Sequence, residues 1–499
     1  MDLEVFARLL TPAGQAALEA AAGLNPSEAA FLTCLSRLQK QTDPPLARAA
    51  LETVLLRRRA RGKFTCAERM YFTREALEQS SGELIAAYRA ERYRGFARVA
   101  DLGCGLGGDA LGLSAVSAVT LVDHDPLRLA LAQANLAVYG RTAEALHADL
   151  TTDPPPAADG LWFDPARRAG GRRRFSVRDY APPLAIITGW LARTPALGVK
   201  LSPGVDLAEL DDLFDDGRQT TDDHRPSSIV RRPPSAEIEF ISVQGELKEA
   251  VLWFGPLRSE AARRATLLPG PHTLVADPEA PSALSAPRAY LYEPDPAVLR
   301  AGLVTTLAAE LGARQLDPDI AYLTADTLTP TPFARAFALE AAFPFQLKRL
   351  REYLRARQVG HVTVKKRGSP LEPEQLIRQL RPAGPESRIV FLTHVAGRPH
   401  ALGPFVNVYN EDAARYHAKL GARRIVLPPE LPLASMAAIA AALSDVLIEA
   451  FAFGRMPLAI SARCYHARVQ GLAKDNCRFV CDQDPDGLPL QTLAGADFL

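Results

Sequence analysis

The sequence predicts an α/β protein centred on a doubly wound, mostly parallel sheet. Three observations carry this. From Val99 onward, short apolar runs ("RVADLG", "AVTLVDHD", "GLWFDP", "LGVKLSP") alternate with helical stretches, as strands buried on both faces do. A glycine-rich turn follows the first run, at the strand end where open sheets bind ligands. Further on, "AEIEFISVQGELKEAVLWFG" places two alternating runs around Gln244-Gly245, a hairpin signal that closes the sheet.

At 499 residues the chain is long enough for three or four domains. The composition, 47% hydrophobic and 23% charged, is globular. A net charge of +1 excludes a whole-surface field for nucleic acid, so any polyanion site must be a local patch. No apolar run approaches a membrane span, and "MDLEVFARLLTPAGQ" lacks a secretory pattern. Six cysteines are too sparse for a disulfide scaffold, and the expectation is a cytoplasmic protein without membrane contact.

Residues 1–65 read as a helical region, with apolar residues at helical spacing in "PSEAAFLTCLSRLQ" and "PLARAALETVLLRRR". Ser27 and Glu28, just inside Pro26, mark a helix start. Residues 66–258 hold the parallel sheet. Residues 259–288, rich in Ala, Pro and Ser, predict a linker with little regular structure. Residues 289–403 carry a second pattern of helices around 296–312 and 344–357, then the strand-like "HVTVKKRG" and "RIVFLTHV". At "HALGPFVNVYN" the pattern changes again, leaving a third segment at 404–499.

The turn "VADLGCGLGGDALGL" spaces Asp101, Gly103, Gly105 and Gly107 at alternate positions. Glycines there let backbone N–H groups approach a ligand closely. Asp123 ends the next run, where a carboxylate can accept both hydroxyls of a ribose, and Asp149 closes the third, facing an adenine edge. Asp164 ends the fourth. Four acids at four successive strand ends predict one crevice. An acid before the glycines suits the cationic methionine part of S-adenosyl-L-methionine better than a pyrophosphate. A dinucleotide site, or a glycine turn that only packs a helix, is the competing reading.

These residues carry a resemblance. "DLGCGLGGD", "LVDHDPLRLALAQANLAVYG" and "FDPAR" resemble class I S-adenosylmethionine-dependent methyltransferases, especially the trimethylguanosine-synthase-like branch. "YFTREALEQSSGELIAAYRAERY" is similar to the helix that precedes the cofactor loop there, and "YLYEPDPAVLRAGL" with "VTVKKRG" resembles the THUMP-like domain of a bacterial methyltransferase family. The resemblance covers about residues 1–403. It implies a Rossmann-like catalytic domain, a THUMP-like (ferredoxin-like) α+β appendage and RNA as partner.

Amino-directed members of this class carry Asp/Asn/Ser-Pro-Pro-aromatic after the fourth strand. The first residue accepts from the target amine, and the ring stacks on the base. This chain has Asp164-Pro165-Ala166-Arg167, so the second proline and the ring are replaced. Arg167 can stack through its guanidinium or bind phosphate, and Phe175 or Tyr180 can supply a ring. Methylation of a base nitrogen is the expectation. A ribose 2′-O reading uses Asp164, Lys200 as a base, Glu237 or Glu239, and Lys63. Against that, Lys200 reads as a surface residue. No cysteine adjoins the fourth strand, which argues against carbon-5 pyrimidine chemistry. A small-molecule methyltransferase and a non-catalytic RNA-binding protein are the further alternatives.

Arg167, Arg168, Arg172, Arg173, Arg174 and Arg178 fall within twelve residues, joined by one acid, Asp179. A solvated loop competes with an RNA-phosphate site. Position beside Asp164 favours phosphate, with Lys365 and Lys366 as a second contact and Arg231 and Arg232 adding to it. Near the C-terminus, Cys464, Cys477 and Cys481 resemble the cysteine block of the collagenase-like peptidase family, closest to its ubiquinone-biosynthesis iron–sulfur members. "GPFVNVYN" and "LPPELPLAS" extend the match. It implies a partial α/β-barrel-like fragment over 404–499 and ligands for a 4Fe-4S cluster, with the fourth cysteine's segment missing.

Overall fold

The structure is a computed structural model that describes residues 1–452 except 167, 170–171, 174–175, 215–235, 370, 396–399, 404–405, 420, 444 and 451. It divides into two compact units, Met1–Arg398 and Pro399–Leu499.

Four helices open the chain: α1 (Leu3–Leu9), α2 (Pro12–Gly23), α3 (Phe31–Leu38) and α4 (Pro44–Ala60). Asp2, Thr11 and Asp43 cap three of them by accepting from Val5, Gly14 and Leu46 N–H groups, and prolines open α2 and α4. The helix start expected at Ser27 is delayed. Ser27 accepts from Ala30 N–H, but α3 begins only at Phe31. The apolar stripes of α1, α2 and α4 meet over Phe6, Leu18 and Leu51. Leu131 of the following domain joins that cluster, so the helices are docked on it.

Helices α5 (Arg74–Gln79) and α6 (Glu83–Ala90) lead into the main sheet. It alternates β1 (Arg98–Leu102), α7 (Gly108–Leu113), β2 (Ala118–Asp123), α8 (Pro126–Val138), β3 (Glu144–His147) and β4 (Gly160–Phe163). Two-residue strands β5 (Arg168–Ala169) and β6 (Arg172–Arg173) pair antiparallel with each other, apart from the sheet. Then follow α9 (Ile187–Leu191), β7 (Leu197–Leu201), α10 (Leu207–Phe214), β8 (Ala236–Val243), β9 (Glu246–Phe254), β10 (Arg263–Leu268) and β11 (His272–Val275). The nine strands run in the order β11-β10-β8-β9-β7-β4-β1-β2-β3, with β9 and β11 antiparallel to their neighbours. Gln244 and Gly245, both with positive φ, make the expected hairpin turn between β8 and β9.

The stretch expected as a linker is corrected here. Residues 263–275 form β10 and β11 and extend the sheet beyond β8. β10 takes its partner from β8 and β11 folds back on β10, so local composition does not reveal them.

The register levels the strand ends. Leu102 pairs with Val122 and with Phe163, and Phe163 pairs with Val199. Gly103, Asp123, Asp164 and Lys200 therefore emerge along one edge. Alternation along β8 sends Ile238 and Phe240 into one core, while Glu237 and Glu239 face the other side, fully buried.

Glu237 accepts from Arg92, Arg264 and Ser259 N–H. Glu239 accepts from Tyr88, Trp253 and Arg92. Burial pushes the Glu237 carboxyl up, but these donors outweigh it and bring it down to about 2. A folded-state value below the unfolded 4.5 adds stability that is present above pH 4.5 and lost as pH falls toward 2. The shift is worth on the order of 3 kcal/mol. Glu237→Gln is expected to lose about that much at pH 7 and much less at pH 3, measured by urea unfolding at both.

The first unit continues with β12 (Tyr290–Pro294), α11 (Pro296–Ala301), α12 (Val304–Glu310), β13 (Arg314–Asp317), β14 (Ile320–Ala325) and β15 (Ala334–Ala338). These strands form an antiparallel sheet in the order β13-β14-β12-β15, the order of a ferredoxin-like sheet. Val298 and Leu307 share a core with Phe240, so this layer packs on the main sheet. Helix α13 (Leu347–Ala356), β16 (Val359–Arg367), α14 (Pro373–Leu380) and β17 (Glu386–Thr393) follow, with β16 and β17 parallel. In the second unit, β18 (His400–Leu402), α15 (Glu411–Lys419), β19 (Ala422–Val426), α16 (Leu433–Ala441) and β20 (Leu447–Glu449) make a three-stranded parallel sheet around Ile425, Leu427 and Ile439. Among the described residues no helix is long and apolar enough to cross a membrane.

Candidate active site

Beyond β1 the chain turns at Gly103, whose φ is +81° and whose N–H donates to Val122 O at 2.8 Å. A Cβ there would stand 2.8 Å from the Asp164 carbonyl oxygen, so only glycine lets these two strand ends meet. Gly107, also at positive φ, precedes α7, all six residues of which are buried.

The turn faces a cavity of about 510 Å³ lined by Gly105, Asp109, Asp123, Asp149 and Asp164 among others. A larger cavity, about 910 Å³, lies between β15, α13 and β17. It is walled by groups such as Phe337, Tyr353 and Phe391. The chemistry belongs to the smaller one, because the glycine turn and the carboxylates converge there.

Asp123 lines the cavity with its carboxylate held in place: Gly105 N–H donates to Oδ2 and Asp125 N–H to Oδ1, each at 3.0 Å. Each oxygen keeps a second lone pair for a ligand hydroxyl. Asp149 is exposed and accepts from Thr151, which holds its carboxyl below the usual range.

Asp101 is where the structure departs from expectation. It lies within β1, fully buried, behind the cavity wall. Neither of its carboxylate oxygens has a hydrogen-bond partner. Burial first, then the charges of Asp109 and Asp164, push its carboxyl well above the ordinary range. Its place on the wall is taken by Asp109, two residues past Gly107 and likewise buried. Burial pushes Asp109 up, but the Arg89 guanidinium and Lys200 outweigh it and hold the carboxyl low. Arg89 pairs with Asp109, reaches Glu249 at 3.0 Å and lies 4.2 Å over the Trp162 ring.

Among the described residues, the cavity wall carries six carboxylates, Glu75, Glu78, Asp109, Asp123, Asp149 and Asp164, against one guanidinium, Arg128, and the His124 imidazole. That excess of acids on the wall fits a cationic ligand. With glycines for close approach and Asp123 for a ribose, the residues fit S-adenosylmethionine.

At the end of β4, Asp164 Oδ2 accepts from Lys200 Nζ at 2.5 Å. Lys200 is buried, not a surface residue, and donates also to Gln79 O at 3.3 Å. Glu237 and Glu239, proposed beside Lys200 from sequence, are instead claimed by Arg92. The carboxylate on the Lys200 side is Glu249 of β9. Arg167, Arg174, Phe175, Arg231 and Arg232 lie outside the described residues. Arg168, Arg172 and Arg173 fall on the β5–β6 ribbon, with Arg168 opposite Arg173. The base of this excursion is closed by two 3.0 Å backbone bonds between Ala166 and Ala181. Tyr180 is buried and its hydroxyl accepts from Ser202 N–H, so it offers no stacking face.

The chain is 36% identical to an uncharacterised S-adenosylmethionine-dependent methyltransferase of Mycobacterium tuberculosis, over 356 residues covering 69% of this chain and 92% of the relative, in both strains H37Rv and CDC 1551. It belongs to the S-adenosylmethionine-dependent methyltransferases. A solved structure of a Porphyromonas gingivalis W83 protein designated a methyltransferase matches with a TM-score of 0.60 and 23% identity, over 79% of this chain and 96% of that one. Residues 334–402 match the THUMP domain-like family, residues 2–60 a domain of unknown function, and residues 392–484 peptidase family U32. The cofactor of this methyltransferase is S-adenosylmethionine.

Two expectations lie outside the catalytic domain. Lys365 pairs with Glu293, and the partly exposed Lys366 with Glu372 at 2.6 Å. Cys464, Cys477 and Cys481 lie outside the described residues. Among the described residues no group of side chains could hold a metal ion, and nothing supports an iron–sulfur cluster.

Proposed function

We propose that this methyltransferase acts on RNA, at a base nitrogen. One observation carries the reading: Asp164 lines the cofactor cavity at the strand end from which the arginine-bearing β5–β6 ribbon departs. The THUMP-like match supports RNA as the partner, because THUMP domains bind structured RNA.

When bound, S-adenosylmethionine supplies an electrophilic sulfonium methyl. The protein's task is then positioning. Asp164 has one oxygen anchored by Lys200, and the carboxylate retains lone pairs to accept from a base N–H. That hydrogen bond turns the nitrogen lone pair toward the cavity. Arginines on the ribbon hold the phosphates on either side of the base.

A ribose 2′-O reading draws on Lys63, which the charge of Lys200 reaches. It is the weaker one. Lys200 serves as a donor to two acceptors, and a general base needs a free lone pair.

Mass mapping of RNA from a deletion strain tests the function: loss of one methylated base supports it, loss of a ribose methyl selects the second reading, and unchanged RNA refutes both. The ribbon has its own test. Replacing Arg172, Arg173 and Arg174 with Ala is expected to weaken RNA binding. The log–log salt slope should fall by roughly 0.7–0.9 for each phosphate that is no longer neutralised. Cofactor affinity should stay constant. An unchanged slope would return the cluster to a solvated loop and favour a small substrate.

A further inference from the structure

Helix α5 and the residues after it form one wall of the cofactor cavity, through Glu75, Glu78, Gln79 and Ser80. The helix is only six residues long, and its end leaves carbonyls without partners inside the helix. Half-buried Lys63 and buried Lys200 collect two of them and the carbonyl of the cap residue Ser80. Lys63 Nζ donates to Leu77 O at 2.7 Å and Ser80 O at 2.9 Å, and Lys200 Nζ donates to Gln79 O at 3.3 Å. Lys63 holds the far side of the turn too: its carbonyl accepts from Glu83 N–H at 2.9 Å, and Thr65 N–H donates to the Glu83 carboxylate at 2.8 Å.

We infer that Lys63 is a positioning residue that clamps the α5 wall over the cofactor, while Lys200 ties the same wall to Asp164. The inference rests on the cofactor occupying the 510 Å³ cavity. Cofactor binding and alignment of the acceptor carboxylate are then coupled through one short turn. The charge matters to the clamp, because an ammonium donor makes a stronger hydrogen bond than a neutral amine. Burial first, then Lys200 and Lys248, bring Lys63 down to about 8, with Glu78 acting the other way. The charged form is present below pH 8 and is lost as pH rises through it.

The test compares wild type, Lys63→Met and Lys63→Arg by calorimetric titration with S-adenosylmethionine and S-adenosylhomocysteine, and by hydrogen exchange. Lys63→Met should weaken both ligands about 10–50-fold and speed exchange across residues 74–83. Lys63→Arg should restore most of the affinity. Between pH 7 and 9 wild-type affinity should fall more steeply than that of Lys63→Arg, the ligand's own α-amino group titrating alike in both. A folded Lys63→Met within two-fold of wild type, or unchanged exchange at 74–83, overturns the clamp. Should Lys63→Met not fold, matching pH profiles for wild type and Lys63→Arg overturn it. Wild type that binds neither ligand would instead refute the cofactor assignment to this cavity.

Discussion

Asp164→Asn is expected to lower the single-turnover rate of methyl transfer by about 10²–10³-fold, while the cofactor dissociation constant rises by less than about ten-fold because the other wall carboxylates remain. The amide keeps the shape of the carboxylate at the cavity edge. What it loses is the charge that accepts from the substrate N–H and pairs with Lys200 at 2.5 Å. Asp164→Ala should be worse in a second way. Lys200 is buried, and an unpaired buried ammonium costs about 3–5 kcal/mol. Rapid-quench assays with labelled cofactor, beside thermal unfolding of both variants, separate the two effects. An Asn variant with wild-type turnover would remove Asp164 from the reaction. If such a variant also kept its cellular phenotype, a non-catalytic RNA-binding role would be favoured.

Gly103→Ala should abolish cofactor binding, with a loss of about 100-fold or more, and destabilise the fold by about 1–2 kcal/mol from backbone conformation alone. The added Cβ meets the Asp164 carbonyl oxygen at 2.8 Å. That neighbour is backbone at the end of a central strand, so it cannot swing aside as a side chain would. Either the glycine turn lifts into the cavity or Asp164 is displaced, and both change the site. Gly140→Ala is the control. Gly140 also has a positive φ, +68°, but nothing lies within 4 Å of its added Cβ. It should cost similar stability and leave titration with S-adenosylmethionine unchanged. Equal cofactor loss in both variants would mean that Gly103 matters only through fold stability.

Much of the catalytic domain is legible without coordinates because its strands are buried on both faces. Such strands read as continuous apolar runs, and each ends where polarity returns. The glycine spacing, Asp123, Asp149 and Asp164 all sit at such returns, and the levelled register brings them to one edge. The hairpin at Gln244-Gly245 is legible for a local reason, since two positive-φ residues are demanded by the turn itself. The strands β10 and β11 are not, because β10, a short strand added at an edge, takes its pairing from β8 and not from its own pattern, and β11 pairs only with β10.

Charge partners are the part that only the tertiary structure decided. Asp101 carries the motif's acid, yet packing withdraws it behind the wall and brings Asp109 forward against Arg89. Glu237 and Glu239 stand on a strand near Lys200, but their alternation turns them to Arg92, some 145 residues earlier in the chain. Lys63 reads in sequence as a distant candidate base, and the fold sets its ammonium on the end of α5; Lys365 and Lys366 pair with Glu293 and Glu372. The physical reason is packing. A charge drawn against the fold meets whatever groups the tertiary structure places beside it, and those are set by how helices pack on the sheet, not by spacing along the chain.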